Sequence, residues 1–484
     1  MDAEVLSHDL HNALQERFHK TIRRLFFVGI GGSSMSGLAE TAMNLGFDVQ
    51  GSDMCESGYT ERLRLGGIPV VIGHRPENLP PNTDLLVFSG AIRPENPERQ
   101  RARSLGIPEM ERSVFIGLLS MQFSQMIAVA GTHGKTTTSA MMSAVLLAAQ
   151  RDPSVSIGGF YEEIGGNYRV GRSEYFVAEA CEYRDSFLEL RPRIGIITNI
   201  EPDHLDYFSG GIAQIKDSFS QFGRLLPEDG TMICWGDSQD VLEAVSGLKC
   251  RVVRYGFSED ADWRVEAISF DADCCASFDV FNNGIFFGRF SLRIPGKFNI
   301  LNALSVIAAG AQVGIETELM QKVLAGFGGV RRRFEYRGRV GGVTVYEDYA
   351  HHPAELKAVL SVARRRTQGR LWLVFQPHTY SRVHYFLDAF AEALAQADEI
   401  ILTPIYSDRE KNLWNVHSDD LAEAVREHYE KPVCICESFD GIVQLLTEKA
   451  QTGDFVLVAG SQTVTAVAPM LVQSLQKQCE KAGL

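Results

Sequence analysis

The segment Val129-Ala130-Gly131-Thr132-His133-Gly134-Lys135-Thr136-Thr137-Thr138 has the residue types of a phosphate-binding loop. A tight glycine-bearing turn lets backbone N–H groups face a polyphosphate. The Lys135 ammonium can neutralise β- and γ-phosphate oxygens, and the Thr136 hydroxyl can ligate Mg²⁺. Gly131, Thr132, His133, Gly134 and Thr137 complete the candidate cradle for a nucleoside triphosphate, ATP or GTP. The general pattern of such loops has an early glycine where this chain has Val129.

Other polar clusters follow apolar runs. Gly29-Ile30-Gly31-Gly32-Ser33-Ser34 resembles a dinucleotide fingerprint with Ser34 at the third glycine, and Asp53 sits where a ribose-binding acid is expected. The physics supports a diphosphate at a helix N-terminus, which leaves NAD and another phosphorylated ligand both open. Glu179-Ala180-Cys181-Glu182 offers hard carboxylate oxygens suited to Mg²⁺. In Asn199-Ile200-Glu201-Pro202-Asp203-His204, His204 can be a metal ligand, a base or an ordinary loop histidine, and imidazole is an uncommon Mg²⁺ ligand. Asn302, in Gly296-Lys297-Phe298-Asn299-Ile300-Leu301-Asn302, can match an adenine edge, while Asn299 can cap the helix. Arg331-Arg332-Arg333, Asp348-Tyr349-Ala350-His351-His352 and Gln376-Pro377-His378-Thr379-Tyr380-Ser381-Arg382 gather groups that grip phosphates or carboxylates.

The elements that must position these groups read as α/β throughout. Leu25–Ile30, Asp48–Gly51 and Leu85–Ser89 are predicted strands, with a helix over Met35–Leu45. Met126–Ala130 is a buried strand before the phosphate loop, and Ser139–Leu147 a helix after it. Tyr175–Glu179 and Ile194–Thr198 continue that unit. Residues 261–294 alternate around Asn282-Asn283-Gly284, which predicts a β-hairpin excursion, and a helix over Asn299–Val313 closes the unit. Gly342–Asp348, Leu371–Phe375, Glu399–Leu402 and Phe455–Ala459 are strands of a third unit. The expectation is three α/β domains in series. A Rossmann-like domain spans 1–122, a central P-loop ATPase-type domain 123–328 and a C-terminal Rossmann-like domain 329–484.

The chain of 484 residues is 45% hydrophobic, enough for several cores. Its net charge of −14 argues against a nucleic-acid binder. Nine cysteines without a CxxC pair predict reduced thiols. The first residues lack a basic region followed by an apolar core, and no apolar run is long enough for a membrane span. A cytoplasmic protein, monomer or homodimer, is expected.

The order of these motifs resembles the Mur ligases, ATP-dependent amide-bond-forming enzymes of peptidoglycan precursor synthesis. Gly131-Thr132-His133-Gly134-Lys135-Thr136-Thr137 is similar to that family's phosphate loop, which also lacks the early glycine. Within the family, Gly29–Glu40, Ser89-Gly90-Ala91-Ile92, Asn96-Pro97-Glu98, Glu179–Leu188 and Asp348–Pro353 resemble the members that extend UDP-N-acetylmuramate with L-alanine. The resemblance implies that Gly29, Gly31, Gly32 and Ser33 hold the UDP diphosphate, and that Ser52, Asp53 and Ser89 seat uridine. It implies that Lys135 and Thr136 hold ATP phosphates and one Mg²⁺, and that Glu179 and His204 hold a second. Asn302 would read adenine. Arg332, Asp348, His351, His378 and Arg382 would close over ATP and the amino acid, with His204 or His351 as base. Phe298 stands where relatives usually carry His, and Ala459–Val464 replaces a Gly-Ala-Gly-Asp type of loop. Two alternatives are a ligase that attaches murein tripeptide to the same sugar nucleotide and, from another class, an NAD-dependent oxidoreductase.

Overall fold

The computed structural model describes residues 3–407 and 410–482. Three sheets follow one another along the chain. The first has five parallel strands, with Arg24–Val28 at its centre between Asp48–Asp53 and Leu85–Phe88, and Val70–Ile72 and Glu109–Glu111 at the edges. Strand order reverses on either side of Arg24–Val28. The crevice beyond its C-terminal end, at Gly29–Gly32 and Ser89, is therefore the switch point where such sheets bind ligands.

The second sheet has ten strands. Gln125–Ala130 lies at its heart, paired in parallel with Tyr175–Glu179 on one side and Ile194–Ile197 on the other. Val129 is a fully buried residue of this strand, paired with Glu179 and Ile196. The place of the missing early glycine is thus regular β-structure, and the turn begins only at Gly131. The sheet continues through Thr231–Trp235, Arg251–Gly256 and Trp263–Phe270 to Cys275–Asn282 and Ile285–Pro295.

The expected hairpin around Asn282–Gly284 is present. It is no separate excursion. Three antiparallel strands extend the central sheet, and their inward alternation (Ala276, Phe278, Val280, Phe290, Leu292) joins the core under the phosphate-loop helix. Helix Phe298–Gln312 does not close the unit either, because Thr317–Gly326 follows and packs on Ile285–Pro295. Met320 there fills the space beside Gly310, where an added Cβ would lie 2.5 Å from its sulfur.

The third sheet has six strands in the order Glu335–Val340, Val343–Asp348, Phe455–Ala459, Leu371–Phe375, Glu399–Leu402 and Val433–Ile435. All are parallel except the first. The strands ending at Asp348 and Phe375 flank Phe455–Ala459. The Asp348–His352 and Gln376–Arg382 clusters thus leave one sheet edge side by side. No helix among the described residues is long and apolar enough to cross a membrane.

Candidate active site

The phosphate loop departs from Ala130 and turns into helix Lys135–Ala148. Gly131 and Gly134 have φ of 138° and 82°, conformations that L side chains avoid. Space is also lacking: a Cβ at Gly131 would lie 2.0 Å from Thr198 Oγ1, and one at Gly134 2.6 Å from Asn302 Oδ1. The loop after Ile194–Ile197 braces the turn. Thr132 N–H donates to Asn199 O (3.1 Å), His133 N–H to Asn199 Oδ1 (2.8 Å) and Glu201 N–H to Thr132 Oγ1 (2.9 Å).

Lys135 Nζ lies 2.9 Å from Glu182 Oε2 and donates to Thr132 O (3.1 Å). Burial works against its charge, but Glu182, Cys181 and Glu179 outweigh it and hold the ammonium protonated. Thr136 Oγ1 donates to Glu179 Oε2 over 2.8 Å. Adjacent ligands of an octahedral Mg²⁺, at 2.0–2.1 Å from the ion, stand about 2.9 Å apart. Thr136 and Glu179 therefore fit one edge of such a site. His204 Nε2 sits 3.8 Å from both Glu182 Oε1 and Asp203 Oδ2. Its neighbour is thus Glu182 rather than Glu179. His133, Glu201 and His352 offer ligand atoms within 4.8 Å of one another, but two imidazoles suit Mg²⁺ poorly.

A cavity of about 250 Å³ adjoins the loop. His133, Gly134, Thr136 and Thr137 form one wall, Phe298, Leu301 and Asn302 another, and Asp348, Glu355 and Val359 the third-domain side. Asn302 is buried and donates to Asn299 Oδ1 (3.0 Å), which leaves its own oxygen facing Gly134. Phe298, the departure from the expected histidine, contributes a half-exposed ring to the same wall. Its exposed lining is mainly apolar, with polar groups such as Asn299 and Asn302 among it, a composition that suits a purine.

In the first domain Gly29 (φ 77°) and Ile30 N–H donate to Ser52 O, at 2.9 and 3.0 Å. Gly31 N–H donates to Asp53 Oδ2 (2.8 Å). The Asp53 carboxylate is thus folded back onto the glycine turn. Ser52 Oγ meets His74 Nδ1 (3.2 Å), and His74 is 2.7 Å from the fully buried Glu98, a hydrogen bond that raises the imidazole pKa. His74 was not among the residues expected here, because no motif surrounds it. Gly32, Ser33 and Ser89 close the same edge, and Ser33 O accepts from Asn167 Nδ2 of the central domain (2.7 Å).

The third domain reaches the phosphate loop through Arg333 and Glu355, and the loop after Ile194–Ile197 through His352 and Arg382. Arg333 Nη2 comes within 3.4 Å of Thr136 Oγ1. Arg332, the arginine expected there, turns the other way, with Nε 3.4 Å from Glu347 and Nη2 donating to Gly460 O (3.3 Å). That second bond is what the atypical Ala459–Val464 loop supplies. Glu355 Oε1 meets His133 Nδ1 at 3.2 Å. His352 Nε2 meets Pro202 O at 3.2 Å. Arg382 clamps Asp203 with Nε–Oδ1 3.1, Nη2–Oδ1 2.9 and Nη2–Oδ2 3.1 Å, and its Nη1 contacts His378 Nδ1 (3.2 Å). Both partners of this clamp are at least 90% buried.

These contacts set the charges. Burial alone would raise the Asp203 pKa, but Arg382 and neighbouring histidines hold it well below the carboxylate range. His133 is pulled down by burial and up more strongly by Glu355 and Glu201, to about 9. Burial lowers His351 to about 3 and, with the His133 charge, His352 to about 4. Burial raises Asp348 to about 6 although Arg333 and two backbone N–H groups oppose it. His351 Nδ1 faces two oxygens, Tyr349 O at 3.0 Å and Glu355 Oε2 at 3.4 Å. The ring is neutral, so its proton sits on Nδ1 and the Nε2 lone pair is left available.

Known proteins share this arrangement. Residues 24–124 match the Mur ligase family catalytic domain, 129–310 the Mur ligase middle domain, and 332–462 the Mur ligase glutamate ligase domain. The UDP-N-acetylmuramate–L-alanine ligase of Acetivibrio thermocellus is 42% identical over 94% of this chain and 96% of its own. The enzyme of that name from Caldanaerobacter subterraneus subsp. tengcongensis is 44% identical over 94% and 98%. Among solved structures, the UDP-N-acetylmuramate–alanine ligase of Thermotoga maritima superposes with a TM-score of 0.80 at 27% identity, covering 94% of this chain and 99% of that one. A murein peptide ligase from Psychrobacter arcticus shares the fold, with a TM-score of 0.73 at 24% identity over 94% of this chain and 98% of that one. Three sheets in this order, a phosphate loop without its early glycine and identity above 40% across nearly the whole length place the chain in the Mur ligase family.

Proposed function

We propose that this chain is an ATP-dependent ligase that joins L-alanine to the carboxylate of UDP-N-acetylmuramate, releasing ADP and phosphate, in peptidoglycan precursor synthesis. The observation that carries the reading is the identity of 42–44% to ligases of that name over 94% of the chain. The geometry supports it. Boundaries near residues 122 and 328 give each sheet its own domain. The glycine turn of the first domain, with Gly29, Gly31, Gly32, Ser33, Ser52, Asp53 and Ser89, receives the sugar nucleotide. The expected NAD alternative has no role for Lys135, Thr136 and the two further domains.

ATP lies with adenine in the cavity beside Asn302 and Phe298 and its phosphates over Gly131–Thr137. Thr136 and Glu179 would hold Mg²⁺, and His204 lies against Glu182 beside them. The ion supplies charge neutralisation at the phosphoryl oxygens. Lys135 leaves Glu182 for the β- and γ-phosphates. The muramoyl carboxylate attacks the γ-phosphorus, and ADP departs. This phosphoryl transfer depends mainly on positioning and on cations around the transferred group, here Lys135 and Arg333. The alanine amine then attacks the acyl carbon. As the C–N bond forms, the amine gives up a proton, and the C–O bond to phosphate breaks. His351, neutral with its Nε2 lone pair available, is the base, and His378 and Arg382 stand beside it.

Release of phosphate with L-alanine, against release with murein tripeptide, tests the reading. Turnover supported by tripeptide and not by L-alanine would replace it with the recycling ligase. The fold shared with the Psychrobacter arcticus enzyme does not separate the two.

A further inference from the structure

Glu355 occupies the third position of helix Pro353–Arg366, where an acid commonly caps a helix start. Its contacts go well beyond a cap. Oε2 accepts the backbone N–H groups of His351 (3.1 Å) and His352 (3.3 Å) and lies 3.4 Å from His351 Nδ1. Oε1 meets His133 Nδ1 of the phosphate loop at 3.2 Å. His133 Nε2 faces a second carboxylate, Glu201, at 3.4 Å. Both ring nitrogens of His133 thus point at anionic oxygens, which requires an imidazolium. The carboxylate of Glu355 is largely buried and spans two domains.

We infer that Glu355 is a positioning residue that ties the ATP-binding loop to the base of the amide-forming step, through His133 on one oxygen and His351 on the other. The inference rests on the reading of His351 as that base. Two consequences follow from the geometry. Glu355 holds the His351 loop within the third domain, and docking brings His133 against its other oxygen, so closure sets the base at a fixed place beside the phosphate loop. The carboxylate, together with Tyr349 O at 3.0 Å, also keeps the proton on His351 Nδ1. Nε2 is then free to take the amine proton as the C–N bond forms and the C–O bond to phosphate breaks. A carboxylate that fixes a catalytic histidine in its working tautomer is a recurrent arrangement, and replacing it by an amide leaves the geometry but favours the wrong tautomer. Phosphoryl transfer, the earlier step, needs no proton removed and is independent of this relay.

The test separates the two steps in the full-length enzyme. With ATP, Mg²⁺ and UDP-N-acetylmuramate, hydroxylamine traps the acyl phosphate as a hydroxamate. It is neutral at neutral pH and does not need the base. In Glu355→Gln, the ratio of kcat with L-alanine to the rate of hydroxamate formation should fall about 100-fold or more. Glu355→Asp keeps the charge at the helix start but is one methylene too short to serve both histidines. It should show the same split, and it serves if Glu355→Gln folds poorly. Equal loss of both reactions would assign Glu355 a purely structural role and overturn the inference. Unchanged alanine turnover would overturn it as well. His351→Ala run in parallel distinguishes the failures. If it keeps alanine turnover, the base is misassigned and the inference falls with it. If it loses alanine turnover while both Glu355 variants keep theirs, only the relay is wrong.

Discussion

Asp203→Asn should open the enzyme. Asp203 belongs to the central domain and Arg382 to the third, and their three nitrogen–oxygen contacts of 2.9–3.1 Å form a buried, bidentate clamp. Removing one partner of a buried pair leaves the other charge desolvated and unpaired, at a cost of about 3–5 kcal/mol. Asparagine retains the size and one accepting oxygen, so the lower figure of about 3 kcal/mol applies. That cost falls on the docked arrangement, because an undocked Arg382 is free to hydrate. At 1.4 kcal/mol per decade it lowers the closed-to-open ratio roughly 100-fold. Apparent affinity for ligands that need the closed form falls in step with its population. The assay pairs single-molecule energy transfer between dyes on the central and third domains with kcat/KM for L-alanine. In an Arg382→Met background the charge has no partner to lose, so Asp203→Asn should there cost far less. A variant whose energy-transfer histogram and kcat/KM both stay within threefold of the parent would refute the clamp as the holder of closure, as would additive effects in the double variant.

Two shorter predictions test the phosphate loop, and one concerns pH. Lys135→Ala should abolish ADP formation, read by a coupled ADP assay, and should lower the melting temperature because it leaves the buried Glu182 carboxylate unpaired, with calorimetry checking that the variant still folds. Gly134→Ala combines a left-handed φ with a 2.6 Å approach to Asn302 Oδ1, so ATP binding by isothermal titration should weaken at least tenfold. His133 rises from 6.5 to about 9 in the folded protein. A raised pKa means its stabilisation is complete below pH 6.5 and is lost as pH climbs through about 9. The melting temperature should fall across that window, and a His133→Asn variant should show a markedly flatter profile. A parallel decline in the two proteins would sink the assignment.

The elements around the phosphate loop were readable because each carries a local signal. Met126–Ala130 is unbroken by polar residues, and Gly134-Lys135-Thr136 marks the turn into a helix. The Asn282–Gly284 turn was equally plain, but its place in the central sheet was not. Alternation over residues 263–295 states which face is buried, and says nothing of which sheet receives it. The same limit applies to the site. Glu355 reads as an ordinary helix-capping acid, and its partner His133 lies 222 positions away. Asp203 and Arg382 are 179 apart. Arg332 and Arg333 are indistinguishable in a run of three arginines. In the fold, Arg332, at a φ of 62°, turns toward Glu347, and Arg333 faces Thr136. Short-range chemistry is written in short segments, whereas contacts between domains arise from where separate sheets come to rest.

The central claim is that the γ-phosphate of ATP is delivered onto a carboxylate held by the first domain. It is tested most directly with UDP-N-acetylmuramate carrying ¹⁸O in that carboxylate, turned over with ATP, Mg²⁺ and L-alanine. The account predicts that one ¹⁸O per turnover appears in the released inorganic phosphate, because the bridging oxygen of the acyl phosphate leaves with phosphorus. Phosphate free of label, alongside full amide formation, would contradict it.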